Sequence, residues 1–345
     1  MADVFAYLEG FGVSGGSPNK STIIVTAPTG SAVTCKMGST TKTATEKNGV
    51  WTFGGLDLGT WTITSTKGGD SATQDVSITR LTVEYVTIVY RITPEFTYTG
   101  DYEVVDDSDN PISDFAGWKN NWKIRFLTSG TFTVTKLNGW NGQLDVFLVG
   151  GGGGTKWSVG GKIHSGGAGG GYTQTGKAIT VTTNTPYTID IGAGGIGAAD
   201  GGTTSAFGLS ASGGGSPASS AGAAGGSGGG GYVHASASGT SASGAGNGGS
   251  DGSDGVTAGS GGGDGGKGQG TTTREFGEEN GKLYAGGGAG ASNKGGVSPV
   301  GGAGGGGNMG SDGATNTGGG AGNALNGTHN GGSGIAVIRN TRGAA

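Results

Sequence analysis

Two short apolar runs, Gln143-Leu144-Asp145-Val146-Phe147-Leu148-Val149 and Gly334-Ile335-Ala336-Val337-Ile338-Arg339-Asn340, bracket a glycine-rich tract from Gly150 to Gly334, broken up by Ala, Ser, Thr, Asn and Asp. Glycine at this density suggests a flexible linker or a disordered segment. A linker, however, needs no frame. The bracketing runs are short, apolar and rich in β-branched residues, as strands of one sheet would be. The tract therefore reads as an insertion inside a folded domain.

Three arrangements use so much glycine. Collagen needs a strict Gly-X-Y period and abundant proline, and the whole chain has seven prolines. A calcium-binding β-roll needs Gly-Gly-x-Gly-x-Asp, and Asp200, Asp251, Asp254, Asp264 and Asp312 all lack the full set of upstream glycines. The remaining arrangement is a bundle of polyglycine-II-like helices with three residues per turn and a rise of about 3.1 Å, packed side by side. Without Cβ atoms the backbones approach closely enough to bond to one another, which answers the requirement that buried N–H and C=O groups be paired. The runs Gly150–Gly154, Gly166–Gly171, Gly225–Gly231, Gly259–Gly270, Gly286–Gly290, Gly301–Gly307 and Gly318–Gly322 would each seed one rod. Glycine loses the most freedom on folding, so only dense bonding between rods offsets the cost.

Outside the tract the pattern is that of strands. Across the 345 residues only 32% are hydrophobic, and the large apolar side chains concentrate before Ile196. Residues 1–20 form a tail or attachment segment with a Gly15-Gly16-Ser17-Pro18 break. From residue 21 to 91, Ile23 and Val25, Val33 and Cys35, Val50-Trp51-Thr52-Phe53, Thr60-Trp61-Thr62-Ile63 and Val83 to Tyr90 alternate with period two, as in a small antiparallel sandwich. Residues 92–149 read as a linker and the first part of a β-framework. The acidic turn Asp106-Asp107-Ser108-Asp109-Asn110-Pro111 lies there; its spacing does not match an EF-hand loop, so it reads as solvated. Trp122 to Val134 reads as a continuous β-rich run, and further framework strands are expected near 171–192. The closing strand and C-terminal tail occupy 335–345. The fold class is thus all-β, a sandwich followed by a jelly-roll-like framework carrying the glycine bundle.

Two resemblances follow from these residues. Phe53-Gly54-Gly55-Leu56-Asp57-Leu58-Gly59-Thr60-Trp61-Thr62-Ile63 resembles a stretch of transthyretin-like and carboxypeptidase-regulatory-like β-sandwiches, over residues 21 to 91 and with Trp61 where Tyr is usual. It implies a fold and almost nothing about function. A second set comprises Tyr98-Thr99-Gly100, Phe126 to Phe132, Asp145 to Gly154, Gly169-Gly170-Gly171-Tyr172, Tyr187 to Gly195 and Gly331 to Arg339. In this order it resembles the glycine-rich domain of bacteriophage tail fibre and tail tip proteins, over roughly residues 96 to 340. That resemblance implies a virion protein, assembled in the host cytoplasm and then extracellular, attached to other virion structural proteins through its N-terminal region. It also implies a homotrimer, with a monomeric tip held by another fibre as the alternative, and exposed loops that bind a bacterial surface receptor, a glycan or an outer surface protein.

The remaining motifs point away from chemistry. Gly225-Gly226-Ser227-Gly228-Gly229 and Gly248-Gly249-Ser250-Asp251-Gly252 match the nucleophile elbow but lack its strand and helix, and the G-x-G-x-x-G matches fail likewise. A net charge of −4 without a dense Lys/Arg cluster gives no footprint for nucleic acid, and no apolar run is long enough to insert in a membrane. A single cysteine excludes an intrachain disulfide framework. No cofactor and no enzymatic activity are expected. His164, His234 and His329 are the only histidines; a trimer would bring three copies of one together as a metal site, while a solvated loop histidine is the plainer reading.

The interruptions of the tract carry bulky or charged side chains that rods cannot hold, so they are expected to project at rod ends. The candidate receptor-binding residues are Trp157, His164, Tyr232, His234, Arg274, Phe276, Glu278, Tyr284, Asn326 and His329. The bland alternative is that Trp157, Phe276 and Tyr284 plug the bundle or pack on the framework. Rival functions are a purely structural head fibre or decoration protein, and an ice-binding or other extracellular glycine-rich protein. Ice binding would need short threonine- or alanine-rich repeats of fixed register, which the irregular spacing does not supply.

Overall fold

The computed structural model describes residues 20–27, 29–67, 70–88, 95–112, 122–137, 140–156, 166–236, 239–242, 245–246, 273–292, 298–323 and 327–341. The chain divides into two compact units, Met1–Pro94 with Leu137–Asn141, and Glu95–Lys136 with Gly142–Ala345. Among the described residues no helix is long and apolar enough to cross a membrane, and secondary structure is almost entirely strand.

The first unit is a sandwich of seven strands: β1 (Ser21–Thr26), β2 (Ala32–Met37), β3 (Thr40–Thr43), β4 (Val50–Leu56), β5 (Gly59–Lys67), β6 (Asp70–Ile78) and β7 (Val83–Thr87). One sheet has the order β4-β1-β7 and the other β3-β2-β5-β6. Alternation delivers one side chain in two to the space between them. Ile23, Val25, Trp51, Phe53 and Val86 from one sheet meet Val33, Cys35, Trp61, Ile63 and Ile78 from the other. The indole N–H of Trp61 donates to the carbonyl of Asp57 at 3.0 Å, so the ring is buried without an orphaned donor. The expectation of purely antiparallel pairing needs one correction, because β1 and β7 run parallel from Thr22↔Val83 to Thr26↔Thr87.

The second unit is built on two five-stranded sheets. In one, β14 (Thr173–Thr180), β12 (Gln143–Val149), β21 (Ile335–Asn340), β10 (Lys123–Phe126) and β9 (Tyr102–Val105) lie side by side; in the other, β17 (Leu209–Ala211), β16 (Thr204–Ala206), β15 (Pro186–Asp190), β11 (Gly130–Lys136) and β8 (Glu95–Tyr98) do. The two runs that bracket the glycine tract are hydrogen-bonded neighbours, β12 against β21, antiparallel from Leu144↔Asn340 to Val149↔Ile335. The tract leaves the sheet at Gly150 and returns beside its own exit. The run from Trp122 to Val134 is not one strand: the chain turns at Leu127–Ser129, sending β10 to one sheet and β11 to the other. The rings of Phe126 and Phe132 then meet across the sandwich with centroids 5.4 Å apart.

Between β12 and β21 the glycine segments pack as rods, and their hydrogen bonds follow a period of three. In the segment Gly166–Tyr172, the N–H groups of Gly166, Gly169 and Tyr172 reach Ser219, Gly215 and Ser212; those of Gly167 and Gly170 reach Gly230 and Ser227; those of Ala168 and Gly171 reach Ala321 and Gly318. Its carbonyls accept from three further segments: Tyr172 and Gly169 from Gly150 and Gly153, Gly167 and Gly170 from Ala223 and Gly226, and Ala168 from Gly288. One rod thus donates to three neighbours and accepts from three others, as a three-residue helix in a hexagonal bundle must. Its seven residues span about 19 Å at a rise of 3.1 Å per residue. A Cβ at Gly152 would collide with the carbonyl oxygen of Gly319, and one at Gly169 with that of Ala224. Glycine is required at these positions by proximity, and alanine enters only where its methyl finds room, as at fully buried Ala168, Ala289 and Ala321.

Polarity along the rods sorts the connections into two ends. Gly150, Tyr172, Ser212, Gly318 and Gly334 adjoin strand ends, whereas Gly154, Gly166, Ala199 and Gly230 lie at the remote end. There the chain forms a two-stranded ribbon, β13 (Thr155–Lys156) with β20 (Thr328–His329), and a hairpin, β18 (Val233–Ser236) with β19 (Gly239–Ala242).

Candidate functional site

Strands β12 and β21 are buried over nearly their whole length. A strand apolar on both faces needs a cover on each. One face of this sheet packs inside the sandwich; the other presents Phe147, Val149, Ile335 and Val337 outward. Residues Thr273–Tyr284 cover that outer face as a strap. Phe276 and Tyr284 join a cluster with those four side chains, and Phe147 lies with its ring centroid 5.4 Å from that of Tyr284 and 6.2 Å from that of Phe276. The strap turns on a single 3-10 turn at Glu275–Gly277, where Phe276 has φ 58°. That left-handed conformation strains a non-glycine residue and is held here by burial of the ring.

Beyond the apolar part of the face, the neighbouring positions Lys123, Arg125 and Arg339 place three cations on β10 and β21, with Lys123 directly opposite Arg339. The strap answers them with Glu275 and Glu278. Glu275 accepts from Lys123 Nζ at 2.8 Å through Oε2, and from Arg125 Nη2 and the Tyr284 hydroxyl, both at 3.3 Å, through Oε1. Asp109, from the β9–β10 turn, accepts from the same Lys123 at 2.5 Å and Arg125 at 2.6 Å. Arg339 donates to Asp145 at 3.2 Å and to Glu278 at 2.6 Å, and its guanidinium lies 4.1 Å from the centre of the Phe276 ring. Of the turn read as solvated, Asp107, Ser108 and Asn110 are exposed, and Asp109 alone, 36% exposed, joins the ion-pair network. Asp106 shapes the turn by accepting the N–H groups of Ser108 and Asn110 at 2.8 and 2.9 Å.

The titrations follow from this geometry. Burial is the largest influence on Asp109 and would raise it, yet the hydrogen bonds and charges of Arg125 and Lys123 hold its carboxyl below the ordinary value. Arg125 and Arg339 shift upward: burial opposes their charge, but hydrogen bonds to Asp109 and Glu278 and the surrounding carboxylates outweigh it. Tyr284 is pushed up by burial first and the Glu275 carboxylate second. Lys123, Arg125 and Arg339 thus face the carboxylates of Asp109, Glu275 and Glu278 as ion pairs.

Between the strap and the Asp106–Asn110 turn lies a cleft of about 540 Å³, open to solvent on one side. Lys123, Glu275, Phe276 and Arg339 form its floor, and Ser108, Glu278, Asn280 and Lys282 line its mouth.

The predicted site residues separate accordingly. Phe276 and Tyr284 do not project: they are 2% and 0% exposed, packed on the sheet because its outer face needed a cover. Arg274 closes the strap by donating to the Gly281 carbonyl at 3.2 Å. Glu278 is half exposed and lines the cleft. Tyr232 lies at the remote end of the bundle but is 4% exposed, so it too is buried rather than projecting. His234 falls on β18, and its side chain is not described. His329 lies on the remote ribbon, its Nδ1 3.5 Å from an Asp312 carboxylate oxygen. Trp157, His164 and Asn326, and the run Gly259–Gly270, lie outside the described residues, as do residues 1–19. Among the described residues no group of three or more His, Cys, Asp and Glu is placed to hold a metal ion.

Sequence reading missed Lys123, Arg125 and Arg339. The available signal was charge inside otherwise apolar strands, in Trp122-Lys123-Ile124-Arg125-Phe126 and Ile335-Ala336-Val337-Ile338-Arg339. A buried strand carries cations only when carboxylates come to meet them.

An all-β sandwich that carries a bundle of glycine rods between two paired strands defines the class. Residues 127–341 match the family model described as a glycine-rich domain, and with more than half of its length matched the chain belongs to that family. A DUF3823 family protein from Bacteroides ovatus, known from its crystal structure, is similar at 12% identity over 57% of this chain and 96% of its own, with a TM-score of 0.18. At that score the likeness carries no weight for the fold. No curated protein matches the chain.

Proposed function

We propose that this chain is a non-enzymatic component of a bacteriophage virion, a tail fibre or tail tip adhesin that binds a receptor on the bacterial surface. The observation that supports the reading is the sorting of the bundle's connections. The Thr155–Lys156 and Thr328–His329 ribbon and the Val233–Ala242 hairpin lie together at the end of the rods remote from the sheets. Ile196, 77% exposed in the turn between two rods, lies at the same end. A rigid bundle that holds loops at one extremity suits surface recognition, since ordering the loops costs little at the moment of contact. Assembly as a homotrimer, attached to other virion proteins through the N-terminal region, would present three copies of that end and raise avidity without strong single contacts.

A protein inventory of purified virions followed by electron cryo-microscopy tests this. The reading expects the chain at a tail extremity with the remote end of the bundle outward. Absence from the particles, or a capsid location with that end buried, refutes it.

A further inference from the structure

We propose that the cleft between the strap and the Asp106–Asn110 turn binds a neutral, hydroxyl-rich ligand, a saccharide. The volume of about 540 Å³ lies within the range of small-ligand sites, and the chemistry of the wall narrows the class. Cations and carboxylates alternate around the cleft and are paired with one another: Lys123 with Asp109 and Glu275, Arg339 with Glu278. A free anion would meet the carboxylates of Asp107, Asp109, Glu275 and Glu278, and a free cation would meet Lys123, Lys282 and Arg339. Neither sign of charge gains a site.

Hydrogen-bonding capacity nevertheless remains on the wall in both senses. Arg339 donates through Nε and Nη2 and keeps Nη1. Glu278 accepts through Oε1 and keeps Oε2. The amide of Asn280, the Ser108 hydroxyl and the Lys282 ammonium stand at the mouth, with the ammonium resting 5.5 Å from the centre of the Tyr284 ring. A hydroxyl both donates and accepts, so a run of hydroxyls satisfies such a mixed wall, whereas a purely accepting or purely donating group cannot. Ion pairs hold Arg339 and Glu278 in place before a ligand arrives, which reduces the cost of ordering them.

This deepens the adhesin reading by naming a ligand class at a second place, and it draws on that reading only for the source of the saccharide. The test is binding of the full recombinant chain to an array of bacterial mono- and oligosaccharides, with titration calorimetry on any sugar retained. Wild type is expected to retain at least one saccharide. The exposed-rim variants Asn280→Ala and Lys282→Ala, which leave the buried network whole, should weaken it tenfold or more, and Leu58→Asp at an exposed position of the first unit should leave it unchanged. Failure of the folded chain to retain any saccharide overturns the proposal, as does retention indifferent to both rim variants. Cell binding without saccharide binding would sink this inference alone; saccharide binding by a chain absent from virions would sink the adhesin reading alone.

Discussion

Replacing Gly169 by alanine should destabilise the second unit by about 3 to 5 kcal/mol, against the ordinary direction of such a change. Where the backbone permits it, Gly→Ala stabilises by about 0.4 to 1 kcal/mol because it restricts the unfolded chain. Here the new methyl would be driven into the Ala224 carbonyl. Overpacking of a close-packed interior costs roughly 1 to 3 kcal/mol. Separating the rods also weakens the bonds from Gly169 N–H to Gly215 O at 2.9 Å and from Gly153 N–H to Gly169 O at 3.0 Å, worth about 1 kcal/mol each. For a unit of this size each kcal/mol lowers the unfolding midpoint by roughly 2 to 4 °C, so scanning calorimetry should show a fall of roughly 6 to 20 °C. The neighbouring Ala168→Gly opens space instead of filling it. It should cost only about 1 to 2 kcal/mol, from one buried methyl and the added freedom of glycine. An unchanged or raised midpoint for Gly169→Ala would show that the segment is a loose chain and refute the packing argument.

Three further outcomes follow from the strap. Glu275→Ala leaves Lys123 and Arg125 buried with Asp109 as their main counter-charge, and should cost about 3 to 5 kcal/mol in chemical denaturation; a loss below about 1 kcal/mol would mean that the network is solvated. Phe276→Ala removes a buried ring and should cost a similar ~3 to 5 kcal/mol, with faster amide exchange in Phe147 and Val337; unaltered exchange in those strands would show that the strap does not cover them. The folded Asp109 carboxyl titrates below its ordinary value, so its stabilising contribution is complete above about pH 3.9 and fades as pH falls below that toward the folded pKa. Stability measured against pH should therefore lose part of its acid limb in Asp109→Asn, and an identical acid limb in both proteins would contradict the assignment.

The frame was legible because its signals are local. Alternation placed the core of the first unit, and the two apolar runs around the tract identified β12 and β21 as companions before their register was visible. The rods were legible from elimination, since absent Cβ atoms and unpaired backbone leave few dense solutions. The strap was not legible. Arg274 to Tyr284 has the charge of an exposed loop, and its burial depends on cations brought together from residues about 150 and 60 positions away in sequence. The parallel pairing of β1 with β7 escaped for the same reason: period two reports which side chains are inward, and says nothing of strand direction. The split of Trp122–Val134 at Leu127–Ser129 did have a local signal, the Ser129-Gly130 turn dipeptide inside an otherwise β-rich stretch.

The most direct test of the central claim, that the glycine tract is a folded bundle held by bonds between rods, is amide hydrogen exchange across Gly150–Gly154 and Gly166–Tyr172. These amides belong to no helix or sheet, yet each donates to a carbonyl on another segment. The account predicts protection comparable to that of β12 and β21, whose pairing the bundle shares. Exchange at the rate of an unstructured glycine peptide, with the strands still protected, would contradict it.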